Sequence, residues 1–421
     1  MMKRHFKIFI LSLVCIFIPS FSSIVAQEHA GPKTLKDIFQ EALTNSERIT
    51  ISEEKVREAE FLYRQTLGDS FPEIFYRRQK SLEHKSDTTH DGMFRIVKTD
   101  LTGYRELAAL RSDRATINQR QYEMQRVEQL LLQDVSLAFY SLLLAKENVA
   151  ATEKLVAFAQ ERFTELKERV RVGRARQADA VSQELLITSL QSQLEESLRQ
   201  VHARKDLLAF LIGAPQLEYE ITDVPISIEY GLLENYLGRV NTRPDIQAAQ
   251  ENVKAFKGLR HVARADFFPS LSLSANSYTD HSDAQDEKDW DMSLSVEVPL
   301  WDWGSRRAAV ATATAVLNQA QQNFQLSLRQ AELEIRNAYR DYESAKRQLD
   351  IQVQSLSLAR QHYQMQVEDD KKGLVTSLEV LESLDRLNNA ELAYNNARLQ
   401  EKLAAINLRI TSGEQASEVL K

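Results

Sequence analysis

Residues 367–380 read VEDDKKGLVTSLEV and lie inside Ser305–Ser412, a span with no proline and one glycine, Gly373. Proline and glycine are the strongest helix breakers, so their absence over such a length favours continuous helix. At 1.5 Å per residue, the part before Gly373 makes one helix of about 100 Å, and the part after it a helix of about half that. The lone glycine reads as the tip of a helical hairpin. A tight turn between antiparallel helices needs a left-handed residue, and glycine adopts that conformation without steric cost.

The layout occurs twice. Tyr104–Ile212 also holds no proline and one glycine, Gly173, 200 residues before Gly373. Gly213 and Gly413 close the two spans at the same step, and Ala138-Phe139-Tyr140 precedes Ala338-Tyr339-Arg340 by it too. A repeat of this length is too long for a solenoid and implies duplication of a half-molecule. The expected organisation is a first copy over 27–213, a linker over 214–242, a second copy over 243–413 and a tail over 414–421.

In the first long helix, Leu131, Val135, Ala138, Leu142, Ala145, Val149, Thr152, Val156, Ala159, Phe163, Leu166 and Val170 alternate in steps of four and three. All but Thr152 are apolar. This heptad seam predicts lengthwise packing on another helix.

Composition narrows the class. The 421 residues carry 27% charged side chains and a net charge of −7, which suits long solvated helices and argues against nucleic acid as a partner. Lys3 and Arg4, the apolar run Ile8–Ile18 and the small-residue site Ile24-Val25-Ala26 read as a secretory signal peptide over 1–26. Val14 before Cys15 argues against a lipoprotein signal. Cys15 is the sole cysteine, so the mature chain has neither a disulfide nor a cysteine metal site. Beyond the signal, no apolar run approaches the roughly 20 residues of a membrane helix.

Between the helices lie strand-like stretches. Thr34–Leu67 reads as helix with a break between Asn45 and Glu47, and Phe71-Pro72 stops it. Phe75, Tyr76, Phe94, Ile96 and Val97 then predict a β-hairpin over about 71–102, with Ser81–Gly92 as its turn and Gly103 as its end. Arg77, Arg78 and Lys80 weaken its alternation. The second hairpin, about 268–299, is cleaner. Leu271, Leu273 and Ala275 alternate with serines and Asn276, and Met292, Leu294, Val296 and Val298 alternate with Ser293, Ser295 and Glu297. An apolar face backed by a small polar face suits a barrel wall between lipid and water; an ordinary sandwich hairpin has the same pattern. Trp301 and Trp303 fit either an interfacial belt or a strand–helix corner.

At this point the sequence resembles the TolC family of outer-membrane efflux and secretion channels. The carriers are Arg243-Pro244-Asp245 opening a helix, Phe268-Pro269-Ser270-Leu271 entering a strand, and Val298-Pro299-Leu300-Trp301-Asp302-Trp303-Gly304 leaving it. Gly373-Leu374 with Ser377 before Leu378-Glu379-Val380-Leu381 adds a fourth. The resemblance covers nearly the whole mature chain. It implies a mainly α fold with a small β part. Duplicated long antiparallel helical hairpins would form a periplasmic α-barrel, and four strands per protomer would contribute to a 12-stranded outer-membrane β-barrel in a homotrimer. It further implies an adaptor protein, an inner-membrane pump and outer-membrane lipid as partners. The first copy departs from the pattern: Asp100-Leu101-Thr102-Gly103 stands where the second has Pro299–Gly304, so an irregular or shorter hairpin is expected there.

The same resemblance places adaptor docking at the two tips, Val172-Gly173-Arg174 and Lys372-Gly373-Leu374, although any helical hairpin could carry such glycines. It also implies an acidic ring in the lumen from Glu379 and Glu382, with Asp179 as the first-copy counterpart of Glu379. Thr376-x-x-Glu379 reads equally as a capping box, and Glu382 as solvated helix surface. The family's usual gate positions hold Asp370 and Val375 here. A different charge pairing is available between Arg169, Arg171, Arg174 and Arg176 at the first tip and Glu368, Asp369 and Asp370 at the second. Nothing points to an enzyme: the histidines lack ligand spacing, and there is no phosphate loop or nucleophile elbow. No cofactor or metal is expected. The reading is a passive exit duct of an efflux or type I secretion system; its rivals are a secreted coiled-coil scaffold and a periplasmic adaptor.

Overall fold

A computed structural model describes residues 31–81, 89–102, 104–224, 231–280 and 289–420. The expected signal peptide, Cys15, His84 and Gly103 lie outside the described residues. The chain opens with α1 (Leu35–Asn45) and α2 (Glu47–Asp69), then β1 (Glu73–Ser81) and β2 (Thr89–Thr102). The first long hairpin follows as α3 (Arg105–Arg171) and α4 (Gln177–Leu211). A short α5 (Leu233–Leu237) and one 3-10 turn (Val240–Thr242) lead to α6 (Pro244–Ala265), β3 (Ser270–Asp280) and β4 (Trp290–Glu297). The second long hairpin is α7 (Ser305–Lys371) and α8 (Ser377–Thr411), and α9 (Ala416–Val419) ends the chain.

The long helices repeat residue for residue. α3 and α7 each span 67 residues and start 200 apart; α4 and α8 each span 35 and start 200 apart. All four end in the same left-handed glycine cap, Gly173, Gly213, Gly373 and Gly413, each with positive φ. The residue after each glycine donates its N–H five residues back, as in Arg174 to Arg169 and Leu374 to Asp369, the bond that satisfies the last turn's orphan carbonyls.

The four strands form one antiparallel sheet in the order β1-β2-β3-β4. Below it, α2 packs on α3, α3 on α6 and α6 on α7. Each of these helices adjoins the strand of matching position, so a wall one helix thick continues a wall one strand thick. The first hairpin is irregular but not short. β2 has 14 residues against 8 in β4, and its register with β3 shifts at Gly92/Met93 and Lys98/Leu101. Thr89–Gly92, expected as turn, belong to the strand. Lys98 is buried beside the second shift and donates to the Asp69 carbonyl at 2.7 Å, a cation at the C-terminal end of α2.

The main core gathers α1, the middle of α3, the end of α4, Ile221 and parts of α8 and α9 around Leu131, Leu132, Val135, Phe139, Tyr140 and Leu142. All of the α3 seam is buried except Val149, Phe163 and Val170, which are half-buried. One window of α3 is long and apolar enough to cross a membrane, but half of it is buried within the protein. A second core joins Tyr236, Val240 and Ile246 to α7 and α8, and a third, nearer the tips, holds Leu155, Val156, Ala159, Leu190 and Leu384 together.

Candidate functional site

At the tips, Gly173 and Gly373 both adopt φ +73° with open space where a side chain would stand. Val172, Arg174, Lys372 and Leu374 are exposed around them. Thr376 and Glu379 close a reciprocal capping box, whereas the first copy keeps only half of it: Asp179 accepts from the Arg176 backbone N–H at 3.4 Å and from its guanidinium at 3.1 Å, and a guanidinium has no acceptor to return the bond. The hydrogen bonds from the Thr376 backbone and hydroxyl hold the Glu379 carboxyl below its usual range. Glu382 is exposed and 3.6 Å from Arg386.

The charges at the tips do not form one network. Arg171 pairs with Glu168 at 2.8 Å, Arg176 with Asp179 at 3.1 Å and Asp369 with Lys372 at 3.5 Å, each within its own hairpin. Partners three residues away on one helix are in reach without any tertiary cost, so they compete with partners across the tips. Glu368 and Arg174 are exposed. The crossing contact centres on Asp370, whose side chain is only 4% exposed. Arg162 and Arg169 of α3 both reach it, Arg169 at 3.4 Å. Arg162 was not among the sequence candidates. Its signal was available: it stands seven residues before Arg169, on the same face of α3.

The sheet has two chemically distinct faces. On one, Ile74, Tyr76, Phe94 and Ile96 of the first hairpin join Met292, Leu294, Val296 and Val298, all large apolar side chains exposed by 42–72%. On the other, Ser272 faces Ser295, Ser274 donates to or accepts from Ser293 at 2.7 Å, and Asn276 donates to Asp291 at 2.8 Å. An exposed apolar surface of this extent marks a membrane or partner contact. Its lower margin carries Phe71, Tyr104, Phe267, Phe268, Trp301 and Trp303, where strands meet helices. Trp303 is 90% exposed and stacks edge-on against Trp301, so the pair is not core.

Arg243, the 1%-exposed N-cap residue of α6, ties the base of the second copy together. It donates to Asp245 at 2.6 and 3.0 Å, to Glu334 at 2.7 Å and to the Thr411 carbonyl at 3.1 Å. Gly413 lies so close that a Cβ there would come within 3.0–3.2 Å of Arg243.

The family model described as "Outer membrane efflux protein" matches residues 240–414, the copy with the regular hairpin and the buried arginine. The chain is similar to outer membrane efflux proteins. Across most of its length it is 25% identical to the pyoverdine export outer membrane protein OpmQ of Pseudomonas aeruginosa, over 90% of this chain and 84% of that protein. It is 23% identical to the cation efflux system protein CusC of Escherichia coli K12, over 83% and 79%. Solved structures share the fold: CusC with a TM-score of 0.81 at 21% identity, covering 90% of this chain and 92% of that chain, and the outer-membrane channel OprN with 0.78 at 20%, covering 91% and 90%. The chain is a transport channel of the outer membrane.

Proposed function

We infer that this protein is the outer-membrane exit duct of a tripartite efflux system, a passive channel carrying cargo from an inner-membrane pump to the exterior. The observation that carries this reading is the two-faced sheet set on a single-layer helical wall. Lipid offers no hydrogen bonds, so strands can cross it only in a closed barrel. β1 and β4 are the edges of the sheet. Closure through a homotrimer, giving a 12-stranded barrel from three such sheets, removes both edges at once. The long hairpins then form the periplasmic tunnel, and the domain division at the 200-residue step follows from it.

At the far end of that tunnel, Val172, Gly173, Arg174, Lys372, Gly373 and Leu374 are the docking surface for a periplasmic adaptor. The buried Asp370, clasped by Arg162 and Arg169, holds the two tips of one protomer together and keeps the resting tunnel narrow. Glu379 and Glu382, with Asp179, supply negative charge to the lumen, although Glu379 and Asp179 also serve as helix caps. OpmQ and CusC are named for different cargoes, so the likeness leaves the cargo of this protein open.

Single-channel recording of the purified protein in a planar bilayer tests the reading, with Glu379→Ala and Glu382→Ala alongside. Discrete openings whose cation preference weakens in the variants support both the duct and the acidic ring. Openings indifferent to the variants keep the duct and discard the ring. Well-folded protein that never inserts overturns the duct.

A further inference from the structure

The polar face of the sheet carries a row that the function above does not use. The register sets Phe75 opposite Arg95, Arg95 opposite Asn276, and Asn276 opposite Asp291. Arg77 lies two residues along β1 from Phe75 and therefore on the same face. Both guanidiniums lie against the Phe75 ring, with the Arg77 and Arg95 Cζ atoms 5.6 and 6.0 Å from its centroid. That is within the range at which a cation and an aromatic face attract.

The two arginines have no carboxylate partner among the described residues. Asp291, the acid at the end of the row, instead accepts from Asn276 at 2.8 Å and from the Tyr278 hydroxyl at 2.6 Å. The Arg95 Nε and the Asn276 Oδ1 are buried polar atoms without a hydrogen-bond partner among the described residues. A buried donor left unmet is costly, and a bound acceptor would relieve it. Arg77 is exposed, and Phe75 and Arg95 are half-buried, so each keeps some surface open to solvent.

We propose that Phe75, Arg77 and Arg95 form a lumenal binding site for a planar anion, a conjugated ring bearing a carboxylate or similar acidic group. The proposal rests on the channel reading, because it takes the polar face of the sheet as the lumen. The fork of a guanidinium matches a carboxylate with two parallel hydrogen bonds, and its flat face stacks on rings. A small anion such as acetate gains the charge contact but not the stacking. A neutral ring gains the stacking but not the fork.

The test is block of single-channel current in the full-length protein by benzoate, with acetate as the control of equal charge. Benzoate should block at lower concentration than acetate. Arg77→Gln and Arg95→Gln should each raise its half-blocking concentration about tenfold, the loss of one charge-assisted bond. Phe75→Leu should remove the preference for benzoate over acetate while leaving the response to acetate. Arg95→Lys, which keeps the charge and loses the fork, should recover only part of the block. A conducting channel equally sensitive to benzoate and acetate, or one whose block ignores all four variants, overturns the site and leaves the duct intact. Absence of conductance in the unmodified protein overturns the duct, and the site with it.

Discussion

Arg243 shows how much one residue can hold in place. It caps α6 where the linker ends, and its guanidinium joins α6 to α7 through Glu334 and to the end of α8 through the Thr411 carbonyl. Removing one partner of a buried pair leaves the other charge uncompensated, which typically costs about 3–5 kcal/mol. Glu334 is half exposed and can return to water, so Arg243→Ala should lie near the lower figure, about 3 kcal/mol, read as a lower midpoint in thermal unfolding. The pair also sets an acid limit. Burial alone would raise the Asp245 carboxyl, but the hydrogen bonds and charge of Arg243 outweigh it and hold the group below its ordinary value. A carboxylate with a depressed folded pKa contributes stability above its unfolded value of about 3.9, and that contribution is lost as pH falls through the folded value. The melting temperature should therefore fall below about pH 4 more steeply in the unmodified protein than in Asp245→Asn.

At the level of elements, the tips combine a turn that is generic with a clasp that is particular. The glycine caps recur at all four long-helix ends, so they mark helix termination and do not by themselves single out the tips. The clasp does not recur: Asp370 is buried between Arg162 and Arg169, while the equivalent step back from Asp370 falls on Val170. Asp370→Asn keeps the shape and removes the charge, and should raise resting conductance if the clasp holds the tunnel narrow. Reversing Arg162 and Arg169 to glutamates should raise it further; unchanged resting current in both variants would discard the clasp as a gate. The cap on α8 is separable from this. Thr376→Ala should cost about 1 kcal/mol of stability, the usual value of a lost N-cap, without altering conductance.

For the whole molecule, the decisive surface is the apolar sheet face. Leu294 sits on β4 at 63% exposure, opposite Leu273 of β3. A membrane-facing position there predicts that Leu294→Arg costs about 2–4 kcal/mol at mid-bilayer, whereas Ser295→Arg on the polar face costs far less. The readout is heat-modifiable migration of the detergent-extracted trimer: the first variant should lose it at lower temperature, the second should not. The same gel tests trimer closure, since a protein that migrates as a monomer at every temperature would leave β1 and β4 as open edges.

The long hairpins, their glycine tips and the 200-residue duplication were all legible in the amino-acid order. Each of these rests on neighbouring residues: helical periodicity, the absence of breakers over a long run, and a cap that needs a left-handed residue. It also carried the clean β3–β4 alternation into the right two faces. What meets across the chain emerged from the folded molecule. Arg77 looked like an interruption of a weak strand, yet it stands with Arg95 on the polar face while Ile74, Tyr76, Phe94 and Ile96 stand on the apolar one. Trp301 and Trp303 could have been core or surface, and burial settled them as surface. The tip arginines were legible as a cluster, but which of them crosses to Asp370 depended on how two helices from different copies pack. Local pattern fixes an element and its faces; strand register, helix packing and burial fix its partners, and those arise from contacts between residues far apart in the chain.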